Sequence, residues 1–268
     1  MIEIHIDPTM VALGPVTITW HGFFTAVGLV AGVQVASRLA RGTVLTEEQV
    51  QSAALWAVIG GIVGARLLHV VDLLPYYLQN PLSVFAVTEG GLALWGAILG
   101  GVAGLVGYAL VRRLPLALLA DLGATGLVLG QGIGRIGDII NGEHHGTPTD
   151  LPWAVVYTHP NTLGEIGVPV HPAVGYEMLW DFAIFGLLLW ALPRFPRQGM
   201  AFWTYLALYS LGRFVITFFR KDAAIVAMGL TQAQVISAFC FLLAVPMLVY
   251  LYGRAVREAA RLSSRQSS

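Results

Sequence analysis

The chain has 268 residues, of which 56% are hydrophobic and 11% charged, with a mean hydropathy of +0.73 and a formal net charge of zero. A soluble domain carries about 25% charged residues, so this composition reads as a polytopic membrane protein, and it offers nothing to a nucleic acid. The single cysteine, Cys240, lies in an apolar run, which excludes an internal disulfide and fits a small buried hydrophobe better than a nucleophile.

Met1–Asp7 has no Lys or Arg and no apolar core, and is expected not to be a cleavable signal peptide. Seven stretches then approach the roughly 20 apolar residues that a bilayer requires: 18–37, 51–74, 92–111, 117–139, 178–194, 199–219 and 232–253. The fourth is rich in glycine and the fifth is short. Glycines recur every fourth residue at Gly96, Gly100 and Gly104 and again at Gly126, Gly130 and Gly134, a spacing that lets helix backbones approach a neighbour closely. Spans 92–111 and 199–219 are expected to face lipid over most of their circumference. Between spans four and five, residues 140–177 form a small extramembrane head, in which the β-prone run Leu151–Tyr157 is bounded by Thr-Pro-Thr-Asp and Thr-His-Pro-Asn turns. No long repeat or low-complexity linker divides the chain, so residues 1–268 are read as one all-α transmembrane domain.

Arg38 and Arg41, Arg112 and Arg113, Arg194 and Arg197, and Arg254, Arg257, Arg261 and Arg265 follow spans one, three, five and seven. The positive-inside rule therefore predicts an external N-terminus and a cytoplasmic C-terminus. Topology leaves five cations unexplained: Arg66, Arg135 and Arg213 within spans, and Arg220 with Lys221 on the outer side. Ionisable groups at membrane depth cost about 2.5–3.5 kcal/mol each on insertion scales. Such a concentration points to a site for an anionic group, which guanidinium grips in a fork. The competing reading is that Asp72, Asp138 and Glu143, the carboxylates near enough by sequence, pair these cations in structural salt bridges. Tyr209 and Arg213 share a helix face, whereas Glu177 reads simply as an acidic residue favourable at a helix start. His144 and His145 are adjacent and lack a metal-ligand spacing, so no metal is expected.

Arg135 stands within Gly134-Arg-Ile-Gly-Asp-Ile-Ile-Asn-Gly-Glu143, followed by Gly146. Around it lie Trp20-His-Gly22, Gly64-Ala-Arg66, Glu89-Gly-Gly-Leu-Ala-Leu-Trp-Gly96, His171-Pro172 with Tyr176-Glu177, Tyr209-x-x-x-Arg213 and Phe218-Phe-Arg220. In this order, and over nearly the whole length, the chain resembles the bacterial prolipoprotein diacylglyceryl transferases. It departs from the family's usual residues at four positions: His21 (often Tyr), Trp95 (His or Tyr), Asp138 (Asn) and Thr217 (Glu).

The resemblance implies transfer of the sn-1,2-diacylglyceryl group of phosphatidylglycerol to the lipobox cysteine of a prolipoprotein in the bacterial cytoplasmic membrane. Glycerol 1-phosphate leaves, and no metal or organic cofactor is required. Carried onto this sequence, Arg135 and Arg213 are expected to contact phosphate, with Arg66 and Arg220 supporting them and Asn141 and Tyr209 supplying neutral hydrogen bonds. Asp138 and Gly146 complete the expected substrate wall, and His21 or Glu143 is the expected base. An ionised Asp138 would repel phosphate unless Arg135 or a proton neutralised it. Two rivals use the same buried arginines: an organic-anion transporter, and a non-catalytic binder of anionic lipid or lipoprotein precursor.

Overall fold

The computed structural model describes residues 1–14, 16–85, 90–221 and 225–266, so Glu89 of the quoted motif lies outside the described residues. Among them, seven helices are long and apolar enough to cross a membrane: Trp20–Leu39, Glu47–Asp72, Leu94–Val111, Leu116–Asn141, Ala173–Arg194, Met200–Phe219 and Gln232–Ser263. This is the mostly helical, seven-span class read from hydropathy. The helices are labelled α1 (Trp20–Leu39), α2 (Glu47–Asp72), α3 (Leu74–Gln79), α4 (Leu94–Val111), α5 (Leu116–Asn141), α6 (Ala173–Ala191), α7 (Met200–Ile216) and α8 (Gln232–Gln266). The chain divides into two compact units, Met1–Val35 with Ala120–Ser268, and Ala36–Leu119.

In the unit Ala36–Leu119, α2 lies against α4 with almost no side chain between them. A Cβ at Gly60, Gly64, Gly96 or Gly100 would strike the facing backbone, so these helices touch through their peptide groups. Thr46 caps α2 by accepting the Gln49 N–H at 3.1 Å, while the Gln49 side chain receives the Thr46 N–H at 2.9 Å, a reciprocal capping box. In the other unit, Gly28 and Gly32 of α1 meet Gly130 and Gly126 of α5 in the same way. Both glycine series therefore do what their spacing implied, each against a different neighbour.

The unit formed by Met1–Val35 and Ala120–Ser268 has an apolar core between α5, α6 and α7, built on Val128, Ile184, Leu188, Ala201 and Tyr205. Helix α7 is mostly enclosed: only Leu211, Val215, Phe218 and Phe219 are exposed between residues 200 and 219. The expectation that this span faces lipid over most of its circumference is thus corrected. Small residues at Ala201, Ala207, Ser210 and Gly212 admit partners on several sides, and the Trp180 indole packs onto Gly212 and donates to Leu208 O at 2.9 Å. Buried Asp121 of α5 accepts the Gly199 N–H at 2.6 Å and the Phe202 N–H at 2.8 Å, so a carboxylate satisfies the free amides at the start of α7.

The segment between α5 and α6, expected to form an extramembrane head, is tied to the N-terminus. Strand β1 (Ile2–Ile4) pairs in parallel with β4 (Val155–Tyr157), inside the run expected to be β-prone. Strands β2 (Thr9–Leu13) and β3 (Val16–Thr19) form a hairpin leading into α1, and β5 (Ile225–Ala227) and β6 (Leu230–Thr231) form another before α8. Tyr157 donates to Ile139 O at 3.0 Å, fastening the head to the end of α5. Burial foremost, and then the charge of Asp138, push its phenol up to about 12. A raised acid pKa stabilises the fold fully below the ordinary tyrosine value of 10.0 and loses that contribution as pH climbs through about 12. Tyr157→Phe should therefore lower the melting temperature in detergent at pH 8, and the difference between the two proteins should vanish towards pH 12. A difference independent of pH across that range would refute this account.

Candidate active site

The last turns of α5 build the first half of the site. A Cβ at Gly137 would lie 2.6 Å from His21 Cα and 2.6 Å from Trp20 O, so only glycine lets the start of α1 approach α5 here. That approach brings the ring of His21 onto Asp138: Nδ1 hydrogen-bonds Oδ1 of the carboxylate. The other oxygen, Oδ2, accepts from Arg135 Nη1 at 2.8 Å. Asp138 has 4% of its side chain exposed, whereas His21 keeps 45%, so the pair has a buried anchor and an accessible ring. Two of the four departures from the family pattern, at 21 and 138, are thus one contact. Asp138 does not present a bare charge to an incoming anion, because Arg135 pairs with one of its oxygens and His21 hydrogen-bonds the other.

Beyond Asp138, α5 ends at Asn141, and Gly142 takes the left-handed conformation (φ 76°) that commonly closes a helix. Buried Asn141 donates to Glu143 Oε1 at 2.9 Å, and its own Oδ1 has no hydrogen-bond partner among the described residues. Glu143 Oε2 comes within 3.8 Å of His21 Nδ1. His21, Asp138 and Glu143 offer ligand atoms within 4.8 Å of one another, the grouping that could hold a metal ion among the described residues. The hydrogen bond between His21 and Asp138 accounts for that proximity without one.

The second half comes from α6 and α7. Pro172 caps α6, which starts at Ala173, five residues before the predicted span, so Glu177 lies inside the helix with Asp181 one turn further along the same face. Glu177 is 5% exposed and collects three guanidinium groups. Arg135 Nη2 lies 2.8 Å from its Oε2, Arg213 Nη1 pairs with its Oε1, and Arg220 Nη1 lies 3.4 Å from the same atom. A continuous chain of charges results: His21, Asp138, Arg135, Glu177, then Arg213 and Arg220. Glu177, Trp180, Asp181, Tyr209, Arg213 and Ile216 line one small cavity, which places Tyr209 and Arg213 on a common wall as their spacing predicted.

Several expectations change. Asp138 pairs with Arg135 as expected, but the carboxylate that joins Arg135, Arg213 and Arg220 is Glu177, which had read as a favourable helix-start residue. Asp72 is exposed, and Glu143 is occupied by Asn141 and His21. The reason lies in distance along the chain: Glu177 is remote from Arg135 in sequence, and only the packing of α6 on α5 and α7 joins them. Arg66, expected to support phosphate binding, spends its donors inside its own unit: Nε donates to Val84 O at 2.9 Å, Nη1 to Gly90 O at 2.9 Å and Gly91 O at 3.1 Å, and Nη2 to Ser83 O. With its carbon over the Tyr77 ring at 5.4 Å, this arginine fastens the segment before α4. Gly146 acts through its backbone. It bridges to Arg220, and a side chain there would strike His171 O, so its contribution is to seat the segment carrying Arg220.

The remaining landmarks fall into place. Lys221 stands apart from the hub in an exposed pair with Glu165, whose carboxyl it holds below the usual range. Thr217 donates to Arg213 O at 2.5 Å, an ordinary helix contact where the family often has a carboxylate. Trp95, in the first turn of α4, is 41% exposed. Asp181 was not anticipated at all. Its one available signal was a carboxylate four residues after another in an apolar run.

Among the described residues, seven helices long and apolar enough to cross a membrane, with a network of arginines and carboxylates joining α1, α5, α6 and α7, define the class as a polytopic membrane protein. The family model for prolipoprotein diacylglyceryl transferase matches residues 8–250, and the chain belongs to that family. It is 36% identical over 259 residues to the phosphatidylglycerol–prolipoprotein diacylglyceryl transferase of Geobacter sulfurreducens, covering 94% of this chain and 98% of that protein. The protein of the same name from Trichormus variabilis is 37% identical, with 92% and 90% covered, and that from Thermosynechococcus vestitus is 38% identical, with 84% and 85% covered.

Proposed function

We propose that this chain transfers the sn-1,2-diacylglyceryl group of phosphatidylglycerol to the lipobox cysteine of prolipoproteins, at the outer side of the bacterial cytoplasmic membrane. The observation that carries this reading is the convergence of Arg135, Arg213 and Arg220 on one buried carboxylate. Guanidinium groups gathered in this way offer forked N–H donors and positive charge to a phosphodiester monoanion. Membrane-embedded arginines of this kind also suit an anion transporter, but kinship with named transferases over nearly the full chain favours chemistry.

The reaction moves charge onto the phosphate. The thiol sulfur of the peptide forms a bond to the sn-3 carbon of the diacylglyceryl group, and the bond from that carbon to the phosphate oxygen breaks. Glycerol 1-phosphate departs with one more negative charge than the diester carried. Arginines already fixed by Glu177 stabilise that growing charge without reorganising. A free thiol has a pKa near 8.5, so a base or a positive field must favour the thiolate. His21 is suited to this: with Nδ1 turned to Asp138, the tautomer that keeps its proton there leaves Nε2 as the acceptor. The thiol proton passes to Nε2, and Glu143 beside the ring supports the resulting cation.

The test is conversion of a lipobox peptide in phosphatidylglycerol vesicles, followed by mass spectrometry. A mass increase of one diacylglyceryl group, with release of glycerol 1-phosphate, is expected. Binding of both substrates without a mass change would replace the reading with that of a non-catalytic binder. His21→Gln is expected to lower kcat by about 10²-fold or more while the protein remains in the membrane, and an unchanged kcat would move the base elsewhere.

A further inference from the structure

Asp181 has no task in the reaction as derived above. It lies near the middle of α6, is 1% exposed, and its Oδ2 is buried without a hydrogen-bond partner among the described residues. A buried carboxyl oxygen left unpaired is costly, and natural proteins rarely tolerate one without a ligand or water to meet it. Among the described residues no ion pair satisfies it either, since Arg135 and Arg213 are held by Glu177 and Asp138. The group lines the same cavity as Tyr209 and Arg213, where about 10 Å³ is open to the centre of a water-sized group, roughly the space of one hydroxyl.

We propose that Asp181 is a specificity residue that binds a hydroxyl of the head-group glycerol while the arginines hold the adjoining phosphate. This rests on the transferase reading and deepens it. The chemistry decides between ligands. An ammonium group would also satisfy a bare carboxyl, but within reach of Arg135 and Arg213 it would be repelled. A neutral hydroxyl meets no such penalty, donates to Oδ2 and leaves the phosphate on the cations. The site therefore takes a polyol phosphate in preference to an alkyl phosphate or an aminoalkyl phosphate.

The experiment uses the full chain in vesicles and measures inhibition of peptide lipidation by sn-glycerol 1-phosphate, ethyl phosphate and O-phosphoethanolamine. The unaltered protein should be inhibited about tenfold more strongly by glycerol 1-phosphate than by either other compound, the scale of one hydrogen bond to a charged group. Asp181→Leu should make the three compounds equal while ethyl phosphate inhibits as before. Asp181→Asn, which keeps an acceptor and nearly the same shape, should show an intermediate preference and covers the case in which the leucine variant does not fold. Equal inhibition of the unaltered protein by all three, stronger inhibition by O-phosphoethanolamine, or a preference unchanged in both variants would overturn the assignment. Failure of every phosphate compound to inhibit would instead strike the anion-site reading on which it rests.

Discussion

Arg135→Ala is expected to insert into the membrane in normal amount and to have lost lipid transfer by about 10³-fold or more, the scale associated with removing an arginine from a developing phosphate charge. Insertion should survive because hydropathy, not Arg135, defines the spans. The two carboxylates it leaves are also not abandoned. Asp138 keeps His21, and Glu177 keeps Arg213 and Arg220. Some loss of stability should still appear, bounded by the roughly 3–5 kcal/mol that breaking a buried pair costs. Lysine at this position should recover little, because one ammonium cannot place separate nitrogens on Asp138 and Glu177 as the fork does. Peptide lipidation assays beside quantification of the membrane-inserted protein would check both halves. Full activity in Arg135→Ala would remove the phosphate site from this part of the molecule.

Glu177→Leu should be the more damaging substitution for the protein itself. Three guanidinium groups share Glu177, and its loss removes the carboxylate paired with Arg213 and one of the two paired with Arg135. A part-buried cation that loses its closest carboxylate carries a desolvation penalty that is less well offset. The expected result is a large fall in melting temperature in detergent, or failure to accumulate in the membrane, together with loss of activity. Glu177→Gln keeps the shape and one acceptor oxygen, so it should fold better than the leucine variant and remain catalytically impaired. Adding Arg213→Met to Glu177→Leu should restore part of the stability by removing a cation that Glu177 had offset, a coupling that a double-mutant cycle would measure directly. A Glu177→Leu protein as stable as the unaltered one would show that the hub does not hold α5, α6 and α7 together.

Much of the site was legible in residues 134–146. Arg135 and Asp138 are three apart on a helix, so their contact follows from local geometry alone, as does the shared face of Tyr209 and Arg213. Composition likewise announced the seven spans, because each is a continuous apolar run whose burial in lipid does not depend on its neighbours. Less legible was where α6 begins. The polar-looking Tyr176 and Glu177 masked a helix that starts at Ala173, and the shift turned Glu177 from an entrance residue into a buried one. The fate of Arg66 was equally hidden, since its partners are backbone carbonyls, which every sequence supplies and none advertises.

The division has one physical cause. Hydropathy, glycine spacing and contacts within a helical turn are local, and the sequence by itself determined them: seven spans, two glycine seams, and an arginine–carboxylate pair at the end of α5. Contacts between helices depend on register and rotation, which a few side chains decide jointly. Tertiary structure alone brought His21 to Asp138 across the gap that Gly137 opens, gathered three arginines onto Glu177, and set Asp181 in the cavity wall with one oxygen unpaired among the described residues.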